Sequence, residues 1–171
     1  MNSLRLALAA AVLPLLSACT AVIPVDVSRQ VTLESPGGAF TTTQVVDFSK
    51  EPAVWSKRDS VDAVSIDEIT ATVVSAEQGQ ALTVSLDLVF RPGGATDASR
   101  DLHVGVITDL PLLAGATATV HGSAALDAFL LDVLKGEGQF TAIASGALTG
   151  SASAVIEISL KGSAAVKVVG H

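Results

Sequence analysis

The sequence predicts an all-β domain, a mainly antiparallel β-sandwich or open barrel that contains one short amphipathic helix. Apolar and polar residues alternate over 81–90, a pattern typical of a strand with one buried and one solvated face. Runs rich in Gly, Pro and Ser separate about eight such β-prone segments. Only the segment at about 123–135 has its apolar residues at helical spacing instead.

Alternation or β-branched content predicts strands at 30–34, 41–48, 64–75, 81–90, 102–106, 116–121, 139–145, 154–160 and 164–168. Within 64–75 the apolar residues change from even to odd positions near Asp67. This change predicts either a β-bulge or the junction of two elements. Residues 49–60 are polar around Pro52 and Trp55 and are predicted to form a loop with at most one helical turn.

The predicted helix has a single apolar face, formed by Leu126, Phe129, Leu130, Val133 and Leu134. Ser123 precedes it as an N-cap, and Gly136 follows where a left-handed residue is wanted. We expect this helix to close an open end of the sandwich or to lie across one sheet.

The length of 171 residues indicates one domain behind an N-terminal leader. Residues 1–18 combine a basic start at Arg5, an apolar core over 6–16 and small residues at the end, as in a signal peptide. We predict a tether over 19–29, because Pro24 lies there and no period is sustained, and a single β-rich domain over 30–171.

The last four leader positions carry a specific motif. Leu16-Ser17-Ala18-Cys19 resembles the lipobox of bacterial lipoproteins at every position. The resemblance implies cleavage before Cys19, the only cysteine, and a diacylglycerol thioether on its Sγ, so that acyl chains such as palmitate hold the protein on the membrane. Thr20 replaces the Asp that retains some lipoproteins on the inner membrane, which favours the outer membrane of the bacterial envelope.

Two other interpretations of the leader are open. An uncleaved anchor would need roughly 20 apolar residues, whereas this run is shorter and contains Pro14. Cys19 would otherwise be an ordinary buried thiol. The chain has 10 Lys and Arg against 17 Asp and Glu, a balance that disfavours nucleic acid as a partner and leaves membrane attachment to the lipid.

Candidate chemical sites are sparse. His103, His121 and His171 do not have the spacing of a zinc site, so we predict no metal and no cofactor. The acidic residues Asp59, Asp62, Asp67 and Glu68 are candidates for calcium, but they lack its ligand loop, and a solvated acidic edge explains them as well. The sequence has no serine-hydrolase motif. Trp55 is either a ligand or partner anchor or a lid over the edge of the core.

These observations predict a non-catalytic, lipid-anchored envelope protein with an interaction or structural role, in contact with the membrane through Cys19 and with an envelope protein partner. The alternative is a carrier of an apolar ligand or lipid, which needs a cavity of several hundred Å³. Its predicted lining is Leu82, Leu86, Phe90, Phe129 and Leu130. An enzyme would need a cleft that brings His103 or His121 to a carboxylate.

Overall fold

The computed structural model describes residues 19–77, 83–148 and 150–168. Within these ranges the chain forms eight β-strands and two α-helices. The strands are β1 (Cys19–Ser35), β2 (Gly38–Asp47), β3 (Val61–Glu77), β4 (Thr83–Pro92), β5 (Leu102–Pro111), β6 (Thr117–His121), β7 (Gln139–Leu148) and β8 (Ala152–Val168). The helices are α1 (Pro52–Trp55) and α2 (Ala124–Lys135).

The strands form two four-stranded sheets, and every paired neighbour is antiparallel. Sheet 1 has the order β1-β8-β3-β6 and sheet 2 the order β2-β7-β4-β5. Eight strands in two antiparallel sheets with this connectivity make a jelly roll. The prediction of an all-β sandwich is therefore confirmed, and the sandwich replaces the open barrel.

The core lies between the sheets and is mostly aliphatic. Alternate residues of β4, from Val84 to Phe90, are buried there as the alternation predicts. The predicted start of that strand, Ala81 and Leu82, lies outside the described residues. Phe140 of β7 packs against three other phenylalanines, with ring-centroid distances of 6.0 Å to Phe48, 4.7 Å to Phe90 and 6.0 Å to Phe129.

The predicted tether over 19–29 is wrong. These residues belong to β1, which pairs with β8 without interruption from Cys19 opposite Val168 to Ser35 opposite Ala152. Pro24 is compatible with a strand here because β1 is at the edge of sheet 1, where a missing N–H faces away from the ladder. The described fold therefore includes residues 19–29, and the predicted boundary at residue 30 is wrong.

The irregularity near Asp67 is a β-bulge. The register between β3 and β8 shifts between Ile66 and Glu68, which confirms that interpretation of the 64–75 pattern. The extra residue at the bulge turns the side chains that follow it back to the face used before it. The apolar residues on both sides of Asp67 are therefore buried on the same face of the sheet: Val64, Ile66, Ile69, Ala71 and Val73.

Two predicted strands are in fact one. The segments 154–160 and 164–168 form the continuous strand β8 through Gly162. A Cβ at Gly162 would lie 2.2 Å from the carbonyl oxygen of Ser65. β8 can therefore pass this close to β3 only because residue 162 is a glycine. The turn-forming composition of 162–163 therefore reflects a close approach of two strands and not a turn.

Helix α2 matches its prediction in extent, N-cap and buried face. Ser123 Oγ accepts a hydrogen bond from the Leu126 N–H at 3.2 Å, and four of the five apolar residues are buried. Gly136 is not left-handed, with φ −90°, and Gly138 at φ +74° has that conformation instead. Since α2 contacts β3, β5 and β7, it closes one end of the sandwich between the sheets.

Candidate functional site: the end of the sandwich at Cys19

The predicted lipid-bearing residue is the first residue of β1. Cys19 pairs in register with Val168 and Thr20 with Lys167, so the beginning of β1 and the end of β8 lie side by side. Neighbouring strands of a sheet are about 4.7–4.9 Å apart. The leader residues 1–18 lie outside the described residues. Whatever is attached at Cys19 is therefore attached directly to a sheet.

A surface groove of about 560 Å³ lies beside this strand end. We call it the anchor groove, and its lining residues are Ala21, Ile23, Lys57, Ser60, Val166, Lys167 and Val168. The lining is mostly aliphatic and includes two lysines and one hydroxyl. None of the lining residues is a carboxylate.

Ion pairs near the anchor groove use most of the neighbouring carboxylates. Lys167 Nζ lies 3.0 Å from Asp62 Oδ1, and Arg58 Nε lies 3.8 Å from Asp59 Oδ1. Among the described residues Lys57 makes no ion pair. The groove is thus locally cationic in a chain whose net charge is −7.

Trp55, at the end of α1, packs against the hydrophobic core with a partly exposed ring. A Cβ at Gly138 would lie 2.3 Å from its six-membered ring, so the glycine allows the indole to seat closely. The guanidinium of Arg58 lies 4.3 Å from the ring centroid, a cation–π distance. This arrangement favours the lid interpretation of Trp55, because the ring packs on the core and is in contact with Arg58.

The acidic residues considered for calcium do not converge. Asp62 pairs with Lys167, Asp59 is beside Arg58, and Asp67 and Glu68 follow along β3. Over residues 19–77, 83–148 and 150–168, no three or more His, Cys, Asp and Glu side chains are grouped to hold a metal ion. Their positions fit a solvated edge better than a calcium loop.

One histidine does meet a carboxylate. His103 Nε2 of β5 lies 2.7 Å from Asp87 Oδ1 of β4, and both side chains are largely exposed on the outer face of sheet 2. Asp87 lies opposite Ser145 in the register of β4 and β7, so the carboxylate rather than the imidazole is next to the hydroxyl. A Ser-His-Asp triad needs the imidazole in that position. The pair also lies on an open sheet face, not in the cleft that an enzyme would require.

The other two histidines are placed differently. His121 ends β6 in sheet 1 and is exposed, so it is in the opposite sheet from His103. His171 lies outside the described residues. The structure therefore does not bring the predicted histidines together into one site.

The cavity between the sheets is small. It encloses about 40 Å³ near Phe48, Phe90 and Phe140, which is room for a few waters. Of the lining predicted for a carrier, only Phe90 borders it. Leu86 and Leu130 are packed in the core, Phe129 lies 6.2 Å from the Phe90 ring centroid, and Leu82 lies outside the described residues. An acyl chain needs a site several times larger.

Charged residues at the ends of the sheet 2 strands form local structures that the sequence reasoning missed. Arg91 and Asp101 make two parallel hydrogen bonds of 2.7 Å across the β4–β5 connection. These bonds lower the pKa of Asp101 and raise that of Arg91. Asp47 and Asp97 accept hydrogen bonds from Ser49 and Ser99, which lower the pKa of both carboxyls.

The spacing Asp-x-Ser could have pointed to these two turns, because Asp side chains accept from the backbone two residues on, although the third Asp-x-Ser of the sequence, at 26–28, lies within β1. No comparable signal identifies the anchor groove. Its lysines are about 110 residues apart in the chain and come together because the end of β8 pairs with the start of β3, which follows Lys57.

None of the described helices is long and apolar enough to cross a membrane. No protein-family model matches the chain, and no curated protein sequence matches it significantly.

Among solved structures, the chain is similar to a protein of turnip yellow mosaic virus, at 10% identity and a TM-score of 0.41, covering 100% of this chain and 93% of that one. It is similar to a nora virus structure at 12% identity and a TM-score of 0.42, covering 90% and 62%. Desmodium yellow mottle tymovirus gives 12% identity and a TM-score of 0.31, covering 100% and 96%. At these scores the similarities carry no conclusion about this chain.

Proposed function

We propose that this chain is an exported bacterial lipoprotein with a non-catalytic interaction or structural role in the cell envelope. Cleavage before Cys19 leaves that residue at the N-terminus with a diacylglycerol thioether on its Sγ. The observation that carries the proposal is the leader, in which a basic start, an apolar core and Leu16-Ser17-Ala18-Cys19 follow in the order that export and lipidation require. Thr20 favours retention at the outer membrane.

The described surface gives independent support for a non-catalytic role. The one histidine–carboxylate pair, His103 with Asp87, is on a flat sheet face. The space between the sheets near Phe90 is about 40 Å³, which is too small for the ligand of a carrier, and Phe129 borders a separate surface groove of about 500 Å³. Interaction or structure is the role that requires neither a reactive cleft nor a large cavity.

Metabolic labelling tests the lipidation. The full-length chain is expressed in a Gram-negative host with an alkyne analogue of palmitate and then coupled to a fluorophore. We expect label on the wild type and none on Cys19→Ser. A matched control, Cys19→Ser/Ser28→Cys, places a thiol at an exposed position of the same strand and should also remain unlabelled.

Two results would contradict the proposal: a wild-type protein without label, or equal labelling of the Ser28→Cys control. Fractionation of the same cells checks the predicted location in the outer membrane. The labelled protein should sediment with the outer membrane, whereas a Thr20→Asp variant should shift towards the inner membrane. Capture of the lipidated protein after cross-linking in intact envelopes, followed by mass spectrometry, then identifies a protein partner.

A further inference from the structure

We propose that the anchor groove docks on the headgroup layer of the membrane, with Lys57 and Lys167 facing phospholipid phosphates and Val22 and Val168 reaching below them. The inference rests on the proposed lipidation of Cys19 and extends it, because it names a second membrane contact and an orientation for the domain. The occupant is a phospholipid surface that contains anionic headgroups.

The first argument is that no flexible linker separates the proposed lipid anchor at Cys19 from the folded domain. A diacylglycerol thioether holds its cysteine at the membrane interface, and each interfacial layer is about 5–7 Å thick. Since Cys19 is paired with Val168 and Thr20 with Lys167, no free chain separates the anchor from the sheet. Residues within one strand spacing, about 5 Å, must then lie in or beside the headgroups.

The second argument is the chemistry of the surface at that end. The residues that line the anchor groove are two lysines, one serine and four aliphatic residues, and no carboxylate lines it. Asp62 contacts Lys167 from outside this lining at 3.0 Å. Lysine near an anionic membrane surface contributes favourable binding that decays within a Debye length. Phosphate oxygens are the complementary ligand for such a groove.

The third argument is the exposed apolar surface at this end of sheet 1. Val168 lines the groove, and Val22 is on the opposite face of β1 from the lining residues Ala21 and Ile23. Val22 is 70% exposed on the outer side of β1, and Val168 is 47% exposed at the end of β8. Both lie within four residues of the Cys19–Val168 pair. Aliphatic side chains beside lysines are the combination that interfacial segments use, with the apolar part deeper and the charge at the headgroups.

Charge distribution between the two ends of the sandwich points the same way. The β2–β3 connection beside the groove contains Lys50, Lys57 and Arg58, and its two carboxylates, Glu51 and Asp59, are paired with arginines at 3.3 and 3.8 Å. By sequence, the connections β1–β2, β3–β4, β5–β6 and β7–β8 contain no Lys, Arg, Asp or Glu. The lysines of the connections therefore lie in the remaining ones, which also carry carboxylates within 93–101 and 122–138.

Site-specific labelling tests the docking. Because lipidation consumes the only native thiol, Val22→Cys supplies a single reactive cysteine in the lipidated protein. The protein is reconstituted in vesicles of phosphatidylethanolamine and phosphatidylglycerol, labelled with a polarity-sensitive fluorophore, and quenched with acrylamide. The matched control is Val106→Cys, a comparably exposed valine on the outer face of sheet 2. We expect several-fold weaker quenching at residue 22 than at residue 106.

Charge-removing variants test whether the lysines contribute to the docking. Lys57→Gln/Lys167→Gln in the Val22→Cys protein should lose much of the protection in anionic vesicles. Lys135→Gln/Lys161→Gln, which removes the same charge elsewhere, should keep it. Equal quenching at residues 22 and 106 would overturn the docking, and protection that is independent of both lysines would overturn the phosphate contact. Intact mass of the same sample establishes lipidation, so a failure of docking is distinguishable from a failure of the anchor.

Discussion

The two sheets of this jelly roll are held together by different means. Sheet 1 contains three 17-residue strands, β1, β3 and β8, and its pairing runs the full length of β1. On its outer face Lys161 pairs in register with Asp26 on one side and Glu68 on the other. Sheet 2 contains four strands of 10 residues, and each has an aliphatic residue on the outer face: Val45, Val89, Val106 and Ile143.

Inside the sandwich the contrast is equally clear. Sheet 2 supplies two of the four clustered phenylalanines, Phe90 and Phe140, and a bidentate ion pair closes the β4–β5 connection. Both sheets contain register shifts and a glycine at a close strand approach, Gly162 beside β3 in sheet 1 and Gly146 beside β4 in sheet 2. Sheet 1 adds aliphatic packing and one hydrogen bond to α2, whereas sheet 2 adds large aromatic side chains. Each variant predicted below removes one of these stabilising features.

The largest effect should come from the aromatic cluster. Phe140→Ala removes the ring that contacts Phe48, Phe90 and Phe129 and should lower the free energy of unfolding by about 3–5 kcal/mol, because it leaves a cavity between the sheets. Thr141→Ala, the next residue of β7 and on the outer face, should cost less than about 1 kcal/mol. Chemical denaturation of both variants checks this, and equal costs would show that the cluster does not hold sheet 2.

Gly162→Ala should break the corresponding feature of sheet 1. The new Cβ would lie 2.2 Å from Ser65 O and 2.8 Å from Ile66 Cα, so β8 and β3 must separate. We expect a loss of about 1–3 kcal/mol, as in other overpacked sites. Ser163→Ala, one residue further along β8, is the control and should be close to neutral in thermal denaturation. A neutral Gly162→Ala would contradict the close approach.

Asp127→Ala tests the link between α2 and sheet 1. The Asp127 carboxylate accepts a hydrogen bond from the Ile66 N–H at 2.8 Å, next to the bulge. Its removal leaves a partly buried donor without its partner, and we expect a cost of about 1–3 kcal/mol. Asp132→Ala, on the exposed side of the same helix, should cost much less. Hydrogen exchange at the Ile66 amide should quicken in the first variant only.

The smallest effect concerns pH. Because Arg91 lowers the pKa of Asp101 below its ordinary value, the folded state binds a proton less readily than the unfolded chain. This contribution to stability is complete above the unfolded pKa of about 4 and is lost as pH falls through the lower folded value. Wild type should therefore lose more stability on acidification than Asp101→Asn. Parallel acid titration curves for the two proteins would contradict the ion pair.

The sequence predicted those parts of the fold that depend on local pattern. The alternation in β4, the bulge at Asp67 and the N-cap at Ser123 each involve residues that are close in the chain. The order of the strands in the sheets could not be predicted from the sequence. It requires pairings between distant residues such as Thr20 and Lys167, and no local pattern encodes such a pairing. The anchor groove depends on the same long-range pairing.

The errors have physical causes as well. Pro24 was interpreted as a sign of irregular chain, although an edge strand tolerates a residue without an N–H. The predicted alternation of Leu102, Val104 and Val106 failed only at Val106, which is exposed because the β4–β5 register shifts between Leu88 and Val89. The proposed lipobox at Leu16-Ser17-Ala18-Cys19 is a local signal of a different kind, since a leader peptidase would read it as an extended peptide without tertiary contacts.

The central claim concerns the N-terminus of the native protein, and intact-mass spectrometry of protein purified from membranes tests it most directly. We predict a chain that begins at Cys19 and carries the added mass of diacylglycerol with an amide-linked acyl group. A chain that still begins at Met1, or one that begins at Cys19 with an unmodified thiol, would contradict the account.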